Sequence, residues 1–211
     1  MKSANCYDRK ITQFPQCLPE DVEIIDLSFN RIRKLKKDDL SRYSDIKILY
    51  LNDNAIISID EEIFEGMDDL TTLDLSLNSI SKLPAMVFQL PSLKSLYLGQ
   101  NLNMNIVEVV ESAKPVTSPL IQLDISYVMS EEANQLPEFG ILPFLTKYVI
   151  AENKLKNVTT KQFAGLCSLD KLNTTNVSIE FADPCDCWQI NKWLKKRKVQ
   201  FTLFECEIDR N

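Results

Sequence analysis

An asparagine recurs in this 211-residue chain at nearly constant intervals, each time inside the same apolar frame. Asn30, Asn54, Asn78 and Asn101 are 24, 24 and 23 residues apart, and Asn153 returns later. Each asparagine is the ninth residue of a unit whose first, fourth and sixth places hold Leu, Ile, Val or Tyr. Self-similarity at a period of roughly 20 to 50 residues is typical of units that stack on one another. The chain is therefore predicted to be a solenoid.

The apolar fourth and sixth places alternate with variable residues, which is the period of a strand with one buried face. Strands of successive units are expected to lie parallel, about 4.8 Å apart. The ninth-place asparagine has both a donor and an acceptor, so it can bond the buried turns of neighbouring units and serve as scaffold. Phe64, Phe88 and Phe163 recur ten residues after an asparagine and are predicted to fill the convex side. A short helical turn capped by Asp60 is expected over 60–64.

Two units depart from the pattern. The unit that begins at Leu120 has Val128 at its ninth place, and the spacing from Asn101 stretches to 27 residues. The insertion falls in 106–119, with 114–119 as the expected convex loop. The unit that begins at Leu169 has Val177 at its ninth place, a degeneration expected next to a cap.

Composition limits the class of protein. With 45% hydrophobic residues and four glycines, the chain can bury a substantial core. The net charge of −6 and pI near 4.9 argue against a nucleic-acid binder, which needs a basic footprint. No apolar run is long enough to cross a membrane. The start of the chain is too short and polar for a cleavable signal, so Met1 is expected to be either an added residue or the edge of a longer precursor.

Six cysteines lie outside the strand pattern, near the two ends of the chain and in its last full repeat. This placement favours disulfides in a secreted protein. Zinc is the competing use, but one residue separates the closest pair and the chain has no histidine. No metal site or cofactor is predicted. The cysteines are Cys6, Cys17, Cys167, Cys185, Cys187 and Cys206.

Three sequons agree with an extracellular setting. Asn157, Asn173 and Asn176 each begin an N-x-S/T triplet without proline. Glycans on Asn173 and Asn176 would shield the C-terminal part of the concave face and leave the N-terminal part for contact.

The repeat identifies the chain as similar to leucine-rich repeat proteins, and its ends resemble the cysteine caps of the extracellular members. The cap at 1–21 would include an edge strand at 11–15, and the cap at 181–211 has the Cys-x-Cys followed by a Trp-Leu helix. It lacks two residues that the family has between Pro184 and Cys185, and a fourth cysteine after Cys206. The mixture of repeats most resembles arthropod secreted or Toll-like ectodomains.

The resemblance implies an α/β leucine-rich repeat solenoid, a curved horseshoe fragment with a parallel concave sheet. About seven repeats would fill 22–180, with a disulfide cap at each end. By family spacing the disulfide pairs would be Cys6–Cys17, Cys185–Cys206 and Cys167–Cys187.

The variable strand places would face the concave side. The fifth, seventh and eighth places of successive repeats form columns, and aromatic rings lie beside carboxylates in the first five repeats. Strand propensity alone explains some of the tyrosines, but rings with polar neighbours are what a recognition surface needs. The predicted partner-binding residues are Asp26, Phe29, Tyr50, Asp53, Asp74, Leu77, Tyr97, Gln100, Asp124 and Tyr127.

Catalysis is the weakest function class. Without histidine, a Ser-His or Cys-His nucleophile pair is excluded. Glu61 and Glu62 are expected on a solvated convex turn, unsuited to acid–base work. No phosphate loop or nucleotide fingerprint is present.

The leading hypothesis is a secreted, non-enzymatic module that binds a protein ligand or receptor by its concave face, in innate immunity or cell signalling. The alternative is a matrix adhesion module that binds anionic glycans through its C-terminal cap. A third is recognition of carbohydrate or lipid patterns on the acidic and aromatic strip. The oligomeric state stays open. The basic residues of the cap helix, whose other face would be Trp188, Trp193 and Leu194, are Lys192, Lys195, Lys196, Arg197 and Lys198.

Overall fold

A parallel sheet runs the length of the molecule, in a computed structural model that describes residues 1–102, 104–128 and 134–206. One short strand from each repeat enters this sheet, and neighbours in the sheet follow one another in the chain. The strands, in spatial order, are β1 (Ser3–Asn5), β2 (Ile24–Asp26), β4 (Ile48–Tyr50), β6 (Thr72–Asp74), β7 (Ser95–Tyr97), β8 (Gln122–Asp124), β9 (Lys147–Val149) and β11 (Lys171–Asn173).

The remaining elements lie on the way back from one sheet strand to the next. Two small parallel pairs follow the sheet strands, one at each end of the solenoid. The pairs are β3 (Lys34–Leu35) with β5 (Ser58–Ile59), and β10 (Lys154–Val158) with β12 (Ser178–Phe181). The helices are α1 (Lys37–Leu40), a 3-10 helix (Ala85–Gln89), α2 (Ile106–Ala113), α3 (Lys161–Ala164) and α4 (Pro184–Lys196).

The repeat pattern places the core as predicted. In β4, β6 and β7 the middle residue is fully buried while its two neighbours are half-buried. Register aligns Leu49 with Leu73 and Leu73 with Leu96, so equivalent leucines stack along the solenoid. Full burial of a leucine side chain stabilises the fold by roughly 1.5–3 kcal/mol. The repeated apolar places therefore supply one continuous core.

The asparagine ladder is confirmed. The side-chain nitrogen of Asn78 donates to the carbonyl of Leu75 in its own repeat and to that of Leu51 in the preceding one. Its Oδ1 accepts from the backbone N–H of Ile56 at 3.0 Å. Each such asparagine thus satisfies turn groups that water does not reach. Equivalent bonds are made by Asn30, Asn54, Asn101 and Asn153.

The convex side holds the three predicted phenylalanines. Phe64, Phe88 and Phe163 are all buried in the common core. The expected short helix at 60–64 is wrong, because 61–66 forms a series of hydrogen-bonded turns and no helix. Asp60 does not cap that segment with its side chain. Its Oδ2 accepts from the backbone N–H of Lys37 in the preceding repeat at 3.1 Å.

The insertion contains a helix that the sequence analysis missed. Helix α2 occupies Ile106–Ala113, and Asn105 caps it by accepting from the backbone N–H of Glu108. Only 114–119 is irregular, as expected for the convex loop. The buried residues of α2 recur at the three- and four-residue intervals of an amphipathic helix. They are Ile106, Val109, Val110 and Ala113.

The N-terminal edge strand is not the predicted one. Strand β1 pairs with β2, so Asn5 lies beside Asp26, while 11–15 forms no strand. The backbone N–H of Cys6 donates to the carbonyl of Asp26, which places Cys6 at the sixth place of an extra repeat. Cys6 therefore does lie in the strand pattern. Phe14 contributes to the cap by packing its ring against that of Tyr43, 5.9 Å between centroids.

The C-terminal cap helix turns a different face inward than predicted. Leu194 is buried as expected and Trp193 is partly buried, but Trp188 is 57% exposed. Residues 207–211 of the predicted cap lie outside the described part of the chain. The inward stripe follows helical spacing and consists of Cys187, Ile190, Asn191 and Leu194.

That stripe decides the disulfide. Cys187 is bonded to Cys206, so the expected pairs Cys185–Cys206 and Cys167–Cys187 are wrong. Asn191 holds the bonding segment against the helix, because it both donates to the carbonyl of Phe204 and accepts from its N–H. Cys185 lies outside the stripe. The other four cysteines are thiols in this structure, including both members of the expected Cys6–Cys17 pair.

Within the described ranges, none of the helices has the length and apolar character needed to cross a membrane.

Candidate recognition surface

The fifth-place residues form one column across the sheet, as the sequence predicts. Strand register places Asp26 beside Tyr50, Tyr50 beside Asp74, Asp74 beside Tyr97 and Tyr97 beside Asp124. All five side chains are half-buried. Carboxylates and phenol rings therefore alternate along the solenoid, with about 4.8 Å between successive members.

Each carboxylate of this fifth-place column also supports its own turn. Oδ1 of Asp74 accepts from the backbone N–H of Ser76 at 3.0 Å and from its hydroxyl at 2.6 Å. Asp26 and Asp124 likewise accept from the backbone N–H of the serines two residues on. One oxygen of each carboxylate is thus used locally. The ion pairs formed among the described residues include none of these three carboxylates, nor Asp53.

The members of the column influence one another electrostatically. Burial raises the pKa of Asp74, against the effect of its bonds from Ser76, and the charge of Asp124 raises it further. Burial also raises the pKa of Tyr97 against a hydrogen bond with Ser95 that lowers it, and the charges of Asp74, Tyr50 and Asp124 add to the increase. Among the described residues, the middle of the sheet therefore carries a negative potential without a paired cation to neutralise it.

The eighth-place residues are presented on a fixed corner. Each has a positive φ, between 50° and 59°, which L-residues adopt infrequently. Phe29, Leu77 and Tyr127 expose 43%, 40% and 44% of their surface at this corner. The left-handed turn was not predictable from residue type, because the residues that adopt it have little in common. They are Phe29, Asp53, Leu77, Gln100, Tyr127, Glu152 and Asn176.

The seventh-place column is less available than the sequence suggested. Ser28, Gly99 and Ala151 are buried between the fifth and eighth places. A Cβ on Gly99 would lie 2.7 Å from Oγ of Ser126 and 3.3 Å from Oδ1 of Asp124. A side chain at this position would therefore require the Ser126 side chain of the next repeat to shift.

The third-place column was missed, although it faces the same side. In most of the sheet strands the third and fifth places flank a buried fourth place and are themselves half-buried. Strand alternation was the signal that would have found it. Its composition changes from apolar to basic toward the C-terminus: Ile24, Ile48, Thr72, Ser95, Gln122, Lys147 and Lys171.

The three sequons lie in the last repeats, where attached glycans would cover the C-terminal end of the solenoid. Asn157 and Asn176 are exposed, both with positive φ. Asn173 is half-buried in the fifth-place column beside Val149, and its Oδ1 accepts from the N–H and hydroxyl of Thr175. Glycosylation of these residues stays a prediction.

The C-terminal cap offers a second surface. An open groove of about 1000 Å³ lies between α4 and the segment that ends at Cys206. Trp188, Lys192 and Lys195 line it. Arg197 lies over the Trp193 ring, 4.6 Å from its centroid, and donates to the carbonyl of Cys167. Lysines and an exposed ring thus share one side of the cap.

The described residues include no group of three or more His, Cys, Asp or Glu side chains placed to hold a metal ion. The carboxylates of the fifth-place column alternate with tyrosines, so they do not converge on one point.

Comparison with known proteins agrees with the repeat pattern. A sequence model described as "Leucine rich repeat" matches residues 44–102. Human lumican is 34% identical over 132 residues, which are 61% of this chain and 36% of lumican. Human leucine-rich repeats and immunoglobulin-like domains protein 3 is 28% identical over 188 residues, 78% of this chain and 16% of that protein. The chain thus spans well under half of these relatives.

A solved structure supports the same fold. The crystal structure of the TLR13–ssRNA13 complex aligns with a TM-score of 0.54 at 20% identity, over 93% of this chain and 38% of that one. The repeats, the asparagine ladder and these matches together show a leucine-rich repeat fold, similar to that of lumican and of leucine-rich repeats and immunoglobulin-like domains protein 3. The narrower resemblance to arthropod proteins stays a prediction.

Proposed function

We propose that this chain is a secreted, non-enzymatic recognition module that binds a protein partner through its concave face, in innate immunity or cell signalling. The supporting observation is the fifth-place column, where half-buried tyrosines alternate with carboxylates that pair with no cation among the described residues. Rings of this kind supply contact area at low entropic cost, and the carboxylates supply specificity.

The surrounding surface favours the same use. Phe29, Leu77 and Tyr127 add exposed apolar area at the edge of the column, on turns that the asparagine ladder holds in place. Rigid presentation lowers the entropic cost of binding. Single-stranded RNA, the ligand in the TLR13 complex, would be repelled by the carboxylates of this face.

The test is capture of partners from extracellular fluid by the immobilised chain. The double variant Tyr50→Ala/Tyr97→Ala should lose the captured protein by at least about tenfold, the scale of a central aromatic pair. The matched control is Ile141→Ala/Phe144→Ala, two exposed apolar side chains outside the sheet and the cap groove, which should retain it. Equal capture by the tyrosine variant, with an unchanged unfolding curve, would contradict the proposal.

A second candidate function is binding of anionic glycans by the C-terminal cap. It is favoured by the groove in which Lys192 and Lys195 flank the exposed Trp188. Ammonium groups attract sulfate or carboxylate, and a ring with an apolar face can contact a sugar ring.

Heparin affinity chromatography separates the two functions. Lys195→Ala/Lys196→Ala/Lys198→Ala should shift elution to lower salt, whereas Tyr50→Ala/Tyr97→Ala should not. A charge-matched control is Lys34→Ala/Lys36→Ala/Lys82→Ala, exposed lysines outside the cap. Equal shifts in both lysine variants would indicate nonspecific charge and remove the glycan function.

A further inference from the structure

The fifth-place and eighth-place columns of the concave face both alternate with a period of two repeats, in opposite phase. The first, third and fifth repeats pair a fifth-place carboxylate with an apolar eighth place. The second and fourth pair a fifth-place tyrosine with a polar eighth place. The carboxylate pairs are Asp26 with Phe29, Asp74 with Leu77, and Asp124 with Tyr127; the tyrosine pairs are Tyr50 with Asp53, and Tyr97 with Gln100.

Each carboxylate pair has the chemistry that recognises a long cationic side chain. The second oxygen of Asp74 can accept from an ammonium or guanidinium, while Leu77, three residues on in the same turn, exposes apolar surface that can contact the alkyl stem. In the first and fifth repeats the rings of Phe29 and Tyr127 also favour a cation. The absence of an ion pair at these carboxylates among the described residues leaves that requirement for a partner.

The spacing selects the conformation of the partner. Alternate strands are about 9.6 Å apart, twice the strand spacing of about 4.8 Å. A polyproline II helix advances about 9.3 Å in three residues and returns the same face at every third residue. Over the whole column the difference accumulates to only about 0.6 Å, which flexible Lys or Arg side chains absorb.

Other regular conformations do not match. An extended strand returns the same face after two residues, about 6.6 Å, or after four, about 13 Å. An α-helix returns it after seven residues, about 10.5 Å, and would be displaced by nearly 2 Å at the third carboxylate.

The alternation of carboxylates and tyrosines in the fifth-place column stops after Asp124. Beyond Asp124 the fifth place is Val149, and the third place holds Lys147 and Lys171 side by side. These lysines repel a cationic segment, so the matched region covers β2 to β8, enough for about seven residues in polyproline II conformation.

We infer that the concave face from β2 to β8 binds a proline-rich peptide segment in polyproline II conformation that carries Lys or Arg at every third residue and runs across the strands. The inference rests on the proposed concave-face function and names the class of its partner. Tyr50 and Tyr97 would contact the proline rings between successive cations, as aromatic grooves do for such peptides.

The test compares synthetic peptides of identical composition by fluorescence anisotropy at about 0.15 M salt, where nonspecific attraction is partly screened. One is (Pro-Pro-Arg)4; its isomers carry the four arginines as one block, or at every second residue followed by the remaining prolines. The periodic peptide is expected to bind at least about tenfold more tightly than either isomer. Equal affinities would overturn the inference, because net charge would then explain binding.

The matched protein variant is Asp26→Asn/Asp74→Asn/Asp124→Asn. Asn173 already occupies the same place and accepts the same turn bonds from Thr175, so the variant keeps its local structure. It should remove the preference for the periodic peptide. Asp60→Asn/Asp68→Asn/Asp69→Asn, three exposed aspartates outside the concave columns, should preserve that preference.

The two proposals fail separately. If no peptide shows the spacing preference while Tyr50→Ala/Tyr97→Ala still abolishes capture of a native partner, the inference is wrong and the concave-face function stands. If the periodic preference is present and survives Asp26→Asn/Asp74→Asn/Asp124→Asn, the peptide binds elsewhere and the inference is also wrong.

Discussion

The two ends of the solenoid solve one problem by different means. Each must cover apolar side chains and satisfy the polar groups of a terminal repeat. At the N-terminal end the sheet continues into β1, and Asn30 bonds the cap backbone through Cys6, Arg9 and Ile11. At the C-terminal end a helix lays Leu194 onto the core, and Cys187–Cys206 fixes the segment that follows.

A terminal repeat can thus be covered either by further backbone hydrogen bonding or by burial of apolar side chains. The N-terminal cap prolongs the ladder by one more unit. The C-terminal cap does not continue the asparagine ladder. Val177 occupies the ninth place of the last repeat, where an asparagine side chain would accept and donate hydrogen bonds. The N-terminal end should therefore respond most to lost hydrogen bonds, and the C-terminal end to lost apolar volume.

The largest expected effect is at the C-terminal end. Leu194→Ala should lower the free energy of unfolding by about 3 kcal/mol, because the residue is fully buried and leaves a cavity. Urea unfolding measures this change. Leu203→Ala removes the same atoms from a side chain that is 51% exposed and should cost under about 0.5 kcal/mol. A loss below about 1 kcal/mol in Leu194→Ala would mean that α4 does not close the core.

The next effect is at the N-terminal end. Asn30→Ala should cost about 2 kcal/mol, because buried turn groups lose their partners. Hydrogen exchange at the amides of Arg9 and Ile11 should accelerate.

A second variant at Asn30 tests whether the acceptor oxygen or the donor nitrogen of its side chain stabilises the cap. Asn30→Asp keeps the acceptor for Arg9 and Ile11 but loses the donors to Leu27 and Cys6. It should protect the two amides better than Asn30→Ala does. Equal exchange rates in both variants would show that the cap is held by other contacts.

The smallest effect is at the start of the cap helix. Asp183 accepts from the backbone N–H of Cys185 as an N-cap, so Asp183→Ala should cost about 1 kcal/mol in urea unfolding, while Asp183→Asn keeps the cap. A loss of the same size in Asp183→Asn would mean that the negative charge, and not the cap, stabilises α4.

The same aspartate also affects how readily the Cys185 thiol ionises. Its hydrogen bond and charge raise the pKa of Cys185. Less of the thiol is then ionised at a mildly alkaline pH, so alkylation by iodoacetamide is slow. Asp183→Asn should speed alkylation, because the pKa falls when the charge is removed. An unchanged alkylation rate would show that the Asp183 carboxylate does not control the ionisation of the Cys185 thiol.

Much of the fold was predictable because it depends on local pattern. The buried fourth and sixth places, the asparagine ladder and the fifth-place column all follow from one repeated frame. Strand β1 was not predictable in this way, since Ser3–Asn5 has no apolar frame and is defined by its pairing with β2. The disulfide depended on which face of α4 turns inward, and the two tryptophans suggested the wrong face.

The candidate recognition surface was also predictable from the sequence only in part. Residues of the fifth-place column were predicted correctly as neighbours, because strand register preserves the repeat spacing. Their bonds to the following serines were not, since Asp-x-Ser becomes a turn only after the strand ends. Which of these residues contact a partner stays a prediction.

The positive φ at the eighth place limits how this surface can change. Branching at Cβ is disfavoured in that conformation, and the seven residues found there include no Val, Ile or Thr. Mutational drift, or a designed library, can therefore exchange acid, amide, ring and unbranched chain at this corner with little harm to the coil. New specificities would accumulate most easily at such positions, while at the neighbouring seventh place a side chain on Gly99 would require the next repeat to adjust.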